Sequence, residues 1–290
     1  MKGCFTAIIT PFKNGGIDSE ALKKIVHFQL KGGVAGLVPC GSTGEAATLS
    51  PEEYFEVVKL TVEEAGGKAA VVPGVGTNST AKSVEMARKV SALGVDGLLA
   101  VVPYYNKPTQ GGMIAHFSEL ARATSLPIIL YNIPGRTGVN MLPATVLALR
   151  RKFSNIVGIK EASGNLDQVS EIINVLDKDF TVMSGDDSLT LPMMSVGARG
   201  VISVVSNIAP AETAKMCALF LKGGAGRAAK THHSLFPLIK SLFIETNPIP
   251  VKYAASLLGL CGYEPRLPLT PLSIGNRAVV KKYMVKTGVL

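Results

Sequence analysis

The chain has 290 residues, 47% of them hydrophobic and 18% charged, and its 30 Lys plus Arg outnumber its 21 Asp plus Glu for a formal charge of +9. That composition excludes a disordered chain, and no apolar run reaches the ~18 residues a membrane span needs. The basic residues are dispersed without interleaved aromatics, so the charge favours steering of small anionic substrates over a nucleic-acid footprint.

The opening MKGCFTAIITPFKNGG has only a short apolar stretch that meets Pro11 and a polar turn. It reads as a first strand rather than a signal peptide. Seven further β-branched apolar runs follow it, so that the eight cover 5–12, 34–40, 69–75, 95–103, 127–133, 156–161, 180–185 and 199–206. Between most of them lie segments of 3.6-residue periodicity, such as ALKKIVHFQLKG and AKSVEMARKVSALG. Near-continuous apolar strands alternating with helices predict a helix-covered parallel sheet, and eight such units predict a (β/α)8 TIM barrel. Ser50-Pro51-Glu52-Glu53 is a helix start, with a serine cap, proline at N1 and a capping-box glutamate at N3. Gly32-Gly33, Gly66-Gly67 and Gly94 stop helices just before strands. After 207 only helices are expected, at 210–222, 225–245, 248–259 and 271–287. The expected organisation is a catalytic barrel over 1–224 with a helical C-terminal extension over 225–290 packed on it.

Cys4, Cys40, Cys217 and Cys261 form no CxxC, and read as reduced, buried thiols of a cytoplasmic protein. His27, His116, His232 and His233 form no HExxH or ligand cluster, so no metal is expected.

In a (β/α)8 barrel the chemistry belongs at the C-terminal ends of the strands. Lys160 lies inside the apolar run Ile156-Val157-Gly158-Ile159-Lys160-Glu161. Burial there would strip its hydration, lower its pKa and leave an amine able to attack a carbonyl. A lysine paired with a nearby carboxylate, or emerging into solvent, would fit the same spacing. Tyr131 sits at similar depth on the preceding strand, either as a proton shuttle or as a core tyrosine. Ser42 and Thr43, in Gly41-Ser42-Thr43-Gly44-Glu45, suit a carboxylate or a plain turn; the GK[ST] ending of a P-loop is missing. Arg136, in Pro134-Gly135-Arg136-Thr137, offers a carboxylate fork or a surface charge.

Gly41-Ser42-Thr43-Gly44-Glu45, Tyr131-Asn132-Ile133-Pro134 and Gly158-Ile159-Lys160-Glu161, in that order, resemble the pyruvate-dependent class I aldolase barrels. That family includes N-acetylneuraminate lyases and dihydrodipicolinate synthases. The resemblance spans the chain, down to Asn247-Pro248-Ile249-Pro250-Val251-Lys252. Pro103-Tyr104-Tyr105-Asn106, Arg136 with Thr137, and Gly185-Asp186-Asp187 point to the synthase branch.

The resemblance implies that Lys160 condenses with pyruvate to an imine and then an enamine, with no other cofactor. It implies that Ser42 and Thr43 hold the pyruvate carboxylate and that the backbone at Gly185 and Ile202 lines the pocket. Thr43, Tyr131 and Tyr105 would form a proton relay, with Tyr105 supplied by a neighbouring subunit. Arg136 would grip aspartate-4-semialdehyde, and cyclisation would give 4-hydroxy-tetrahydrodipicolinate, on the way to diaminopimelate and lysine. It further implies small-molecule substrates only, a homotetramer built as a dimer of dimers, and neither nucleic-acid nor membrane partners. The alternative is a sibling aldolase acting on N-acetylneuraminate or 2-keto-3-deoxygluconate, which would not need Arg136. A silent barrel that only binds small acids would have no use for Lys160. Lysine-inhibited members carry an acidic residue where this chain has Lys82, and histidines where it has Pro51 and Tyr54, while Asn78 and Tyr104 are retained. Insensitivity to L-lysine is therefore expected.

Overall fold

The computed structural model describes residues 1–290. Its strands, in chain order, are β1 (Gly3–Ala7), β2 (Phe12–Lys13), β3 (Gly16–Ile17), β4 (Gly36–Val38), β5 (Ala70–Val71), β6 (Leu98–Val101), β7 (Ile128–Asn132), β8 (Ile156–Glu161), β9 (Thr181–Ser184) and β10 (Gly200–Ser203). The helices are α1 (Ser19–Lys31), α2 (Pro51–Ala65), α3 (Thr80–Ser91), α4 (Gln110–Arg122), α5 (Pro134–Thr137), α6 (Pro143–Lys152), α7 (Leu166–Val175) and α8 (Thr190–Ser195). They continue with α9 (Pro210–Leu221), α10 (Ala225–Ser241), α11 (Ile249–Leu257) and α12 (Ile274–Lys286).

Each of the eight apolar runs carries one strand of a single sheet, ordered β5-β4-β1-β10-β9-β8-β7-β6. Gly74, just past β5, makes a parallel bridge to Leu99 of β6. The fold is the expected (β/α)8 barrel with a helical C-terminal part. Every residue of β7, β9 and β10 is buried, as in a parallel sheet covered by helices.

Two runs depart from a single strand, for local reasons. Only Gly3–Ala7 of the first region pairs in the main sheet. Phe12–Lys13 instead pairs antiparallel with Gly16–Ile17 around Asn14-Gly15, whose φ angles of +53° and +80° are those of a primed hairpin turn. In 69–75, Pro73 has no N–H to give; its carbonyl still accepts from Leu99 N–H at 2.9 Å, and Val75 N–H donates to Leu99 O at 2.9 Å.

The chain forms two compact units. One holds Met1–Lys2 and Val72–Ile202; the other holds Gly3–Val71 and Ser203–Leu290. In the first, neighbouring helices pack in sequence, α3 on α4, α4 on α6, α6 on α7 and α7 on α8. In the second, α1 packs on α2, α9 on α10, and α12 on both α10 and α11. No helix is long and apolar enough to cross a membrane.

The start of α2 is the expected capping box. Glu53 N–H donates to Ser50 Oγ at 3.2 Å, Ser50 N–H donates to Glu53 Oε2 at 3.0 Å, and Pro51 sits at N1. The same carboxylate takes two bonds from Arg266, at 2.7 and 2.5 Å, and the guanidinium holds it far below the ordinary range, at about 2. A depressed carboxyl stabilises the fold fully above its ordinary pKa and loses that contribution as pH falls through the folded value. Acid titration is therefore expected to lower stability between about pH 4.5 and pH 2. Glu53→Gln should flatten that slope by roughly 1 kcal/mol after solvent screening. Thermal midpoints across that window check it, and an unchanged slope would refute it.

Candidate active site

The parallel register of β7 and β8 sets Tyr131 opposite Lys160 and Asn132 opposite Glu161. Side chains alternate along a strand, so Lys160 and Glu161 face opposite sides of the sheet. Lys160 is 6% exposed and Tyr131 is 6% exposed. The amine stands over the phenol ring, with Nζ 4.1 Å from the centroid, an arrangement favourable for a charged ammonium. At the end of β9, Gly185 makes room for the lysine stem. A Cβ there would lie 3.0 Å from Lys160 Cε and 2.7 Å from Ala162 Cβ.

Glu161 is not the partner of Lys160. Its carboxylate accepts from Asn132 Nδ2 (3.2 and 3.1 Å), Gln168 Nε2 (3.1 Å) and Ser163 N–H (2.7 Å). Asn140 completes the network, accepting from Asn132 at 2.7 Å and donating to Gln168 at 2.7 Å. Lys160 takes part in none of the eight ion pairs. The two structural alternatives left open by its spacing, a paired lysine and a solvated one, are both absent.

Arg136 stands exposed on α5, beside buried Thr137, whose hydroxyl donates to Ile133 O or Val139 O at 3.0 and 2.9 Å. Tyr105 is 88% exposed and sits at φ +72°, a conformation a bulky residue adopts only where the surrounding chain imposes it. The next residue, Asn106, donates from Nδ2 to Asn78 O at 2.9 Å and pins that loop. Ile202 is buried within β10. The first compact unit thus brings Lys160, Tyr131 and Gly185 together, and leaves Arg136 and Tyr105 on its surface.

In the second unit, the turn after β4 is wound tightly on itself. Gly44 N–H donates to Gly41 O, Glu45 N–H to Ser42 O and Ala46 N–H to Gly41 O, at 3.1, 3.2 and 3.3 Å. Cys40 and Glu45 bracket it at φ +54° and +52°, which non-glycine residues adopt only when their surroundings hold them there. Thr10 Oγ1 donates to Gly44 O at 2.7 Å. Ser42 is exposed and Thr43 is buried.

Three residues from the C-terminal region grip this turn, and none was singled out as functional from the sequence. Asn247 Nδ2 donates to Thr43 Oγ1 at 3.0 Å. Lys252 Nζ pairs with Glu45 Oε1 at 2.6 Å, the lysine side chain being 0% and the glutamate 1% exposed. Arg266 N–H donates to Glu45 Oε2 at 3.0 Å. Lys252 also donates to Glu264 O at 2.8 Å and stands 4.2 Å from the Phe12 ring centroid. Burial holds the Lys252 ammonium below its ordinary pKa, with Glu45 pulling the other way. The available signal was a lysine inside the apolar helix IPVKYAASL, the same anomaly that marked Lys160.

The sequence model of the dihydrodipicolinate synthetase family matches residues 1–287. The chain belongs to this family. The 4-hydroxy-tetrahydrodipicolinate synthase of Oleidesulfovibrio alaskensis is 48% identical over 290 residues, 100% of this chain and 99% of that one. The namesake from Endomicrobium trichonymphae is 49% identical, with the same coverage. Among solved family structures, dihydrodipicolinate synthase from Thermotoga maritima superposes with a TM-score of 0.99 at 42% identity, covering 100% of this chain and 99% of that one. The family enzyme from Cyanidioschyzon merolae, solved with lysine bound, gives 0.97 at 40% identity, again covering 100% and 99%.

Proposed function

We propose that this chain is a class I carbon–carbon lyase that condenses pyruvate with L-aspartate-4-semialdehyde to give 4-hydroxy-tetrahydrodipicolinate, within the diaminopimelate and lysine route. The observation that carries the reading is Lys160, a lysine 6% exposed, outside every ion pair and set over a tyrosine ring. Full-length relatives named for this activity support it.

The amine of Lys160 adds to the ketone of pyruvate and expels water, forming an imine without any other cofactor. Loss of a methyl proton gives the enamine, whose carbon attacks the aldehyde of the second substrate. Cyclisation then releases the lysine. Ser42 and Thr43 bind the pyruvate carboxylate, and the backbone at Gly185 and Ile202 lines its pocket. Thr43, Tyr131 and Tyr105 relay the protons. Arg136 forks the carboxylate of the semialdehyde. Tyr105, at 88% exposure, is available to a neighbouring copy, as a relay completed across at least a dimer requires; the assembly proposed is a homotetramer, a dimer of dimers. Four free cysteines support a cytoplasmic setting.

Borohydride reduction with pyruvate, read by peptide mass spectrometry, tests the reading. A pyruvyl adduct on Lys160 is expected; a folded protein without one overturns the proposal. Arg136→Ala should weaken the semialdehyde while leaving pyruvate trapping intact. Cleavage of N-acetylneuraminate or 2-keto-3-deoxygluconate in preference to semialdehyde condensation would assign a sibling activity instead.

Lys82 lies exposed in the first turn of α3, where an ammonium repels a diamino acid, and Tyr54 is buried at 3% exposure. The enzyme should therefore keep most of its activity in roughly 1 mM L-lysine, since like charges disfavour binding. Half-maximal inhibition below that concentration would refute the expectation.

A further inference from the structure

We infer that Asn247 is a positioning residue for proton transfer, setting the direction in which the Thr43 hydroxyl donates. The inference rests on the proposed place of Thr43 in the relay. Thr43 is 3% and Asn247 6% exposed, and the amide Nδ2 donates to Thr43 Oγ1 at 3.0 Å. A hydroxyl has one proton to give and lone pairs to receive. With Asn247 as donor, the Thr43 proton points away from the amide and remains available to the proposed relay. An acceptor in the place of that amide would draw the proton back and stop the relay there.

Two further features show that this geometry is imposed. The turn is bracketed by Cys40 and Glu45 in left-handed conformations. Its far end is tied by the Glu45–Lys252 pair at 2.6 Å, with both side chains fully enclosed. A buried ion pair contributes little net stability beside apolar residues of the same size, and this one ties the end of the turn to α11. Asn247 and Lys252 flank the first turn of α11, and their partners lie 204 and 207 residues away. One helix start therefore holds both Thr43 and the end of the turn that carries it.

Asn247→Asp tests the inference, because it keeps the size and the contact but turns a donor into an acceptor. A merely spatial role would survive that exchange. In the folded variant, kcat at saturating pyruvate should fall about 30-fold or more and the Lys160–pyruvate adduct should form more slowly, whatever the change in KM. Wild-type kcat, or a loss confined to KM, overturns the inference. If the buried carboxylate unfolds that variant, Asn247→Ala decides, since it removes the donor without adding charge. A kcat loss of about tenfold at unchanged KM supports the orienting role, and wild-type kcat overturns it. Trapping of the wild-type protein runs alongside. No adduct on wild-type Lys160 defeats the proposed function itself, whereas normal trapping with an unaffected Asn247→Asp defeats only the role of Asn247.

Discussion

Lys160→Ala is expected to lose the borohydride-trapped pyruvate adduct and at least roughly 10³-fold in turnover, while its thermal midpoint stays at or above that of the wild type. The catalytic loss is large because no second amine stands by to replace it. The other buried lysine, Lys252, is committed to Glu45 at 2.6 Å and to Glu264 O at 2.8 Å. Stability is expected to hold because Lys160 is 6% exposed and has no counter-ion, so alanine removes a desolvated amine together with its cost. The opposing effect is the lost contact between Nζ and the Tyr131 ring, 4.1 Å from its centroid. Mass spectrometry of the trapped peptide, steady-state turnover and a thermal melt check the three parts. Substantial residual turnover, or an adduct on another lysine, would mean that the nucleophile lies elsewhere.

The second large effect is on stability. Lys252→Met should cost about 3–5 kcal/mol, because Glu45 would remain buried and charged with only the Arg266 N–H as a donor. For a chain of this size that lowers the thermal midpoint by roughly 10 °C. Glu45→Gln leaves the complementary fault, a buried ammonium against Phe12, 4.2 Å from its ring centroid. The double variant Glu45→Gln/Lys252→Met should regain most of the loss, since no unpaired charge remains. Melting the three proteins side by side closes the cycle. Simple additivity of the two single losses would show that the pair is not coupled.

The eight main-sheet strands were legible because a strand buried on both faces writes itself as an unbroken apolar run. The capping box at Ser50 was legible because its residues are three apart and their chemistry is local. The β2–β3 hairpin is less legible although Asn14-Gly15 is a strong turn signal, since its first residue, Phe12, closes the apolar run that begins in β1. Lys160 and Tyr131 stood out as polar residues in apolar strands, and the register that sets them opposite one another follows from parallel pairing. Glu45, Asn247 and Lys252 form pairs more than 200 residues apart, and no periodicity announces such contacts. The lysine in α11 was the visible half of a pair whose other half lay in a glycine-rich turn that reads as solvent-exposed. Burial decides which polar residues must find partners, and burial is a property of the assembled fold.

That separation has a consequence for biosynthesis. At roughly 5–20 residues per second, the turn leaves the ribosome on the order of ten to forty seconds before the segment that ties it down. Until then Glu45 has neither Lys252 nor the Arg266 N–H, and a carboxylate in that condition stays hydrated. The unit holding Val72–Ile202 is drawn almost wholly from continuous sequence and can form while translation proceeds. The other unit joins Gly3–Val71 to Ser203–Leu290, so the first segment made must wait for the last. A ribosome stalled before Lys252 would hold a chain with Lys160 already synthesised and the turn that carries Thr43 still unanchored.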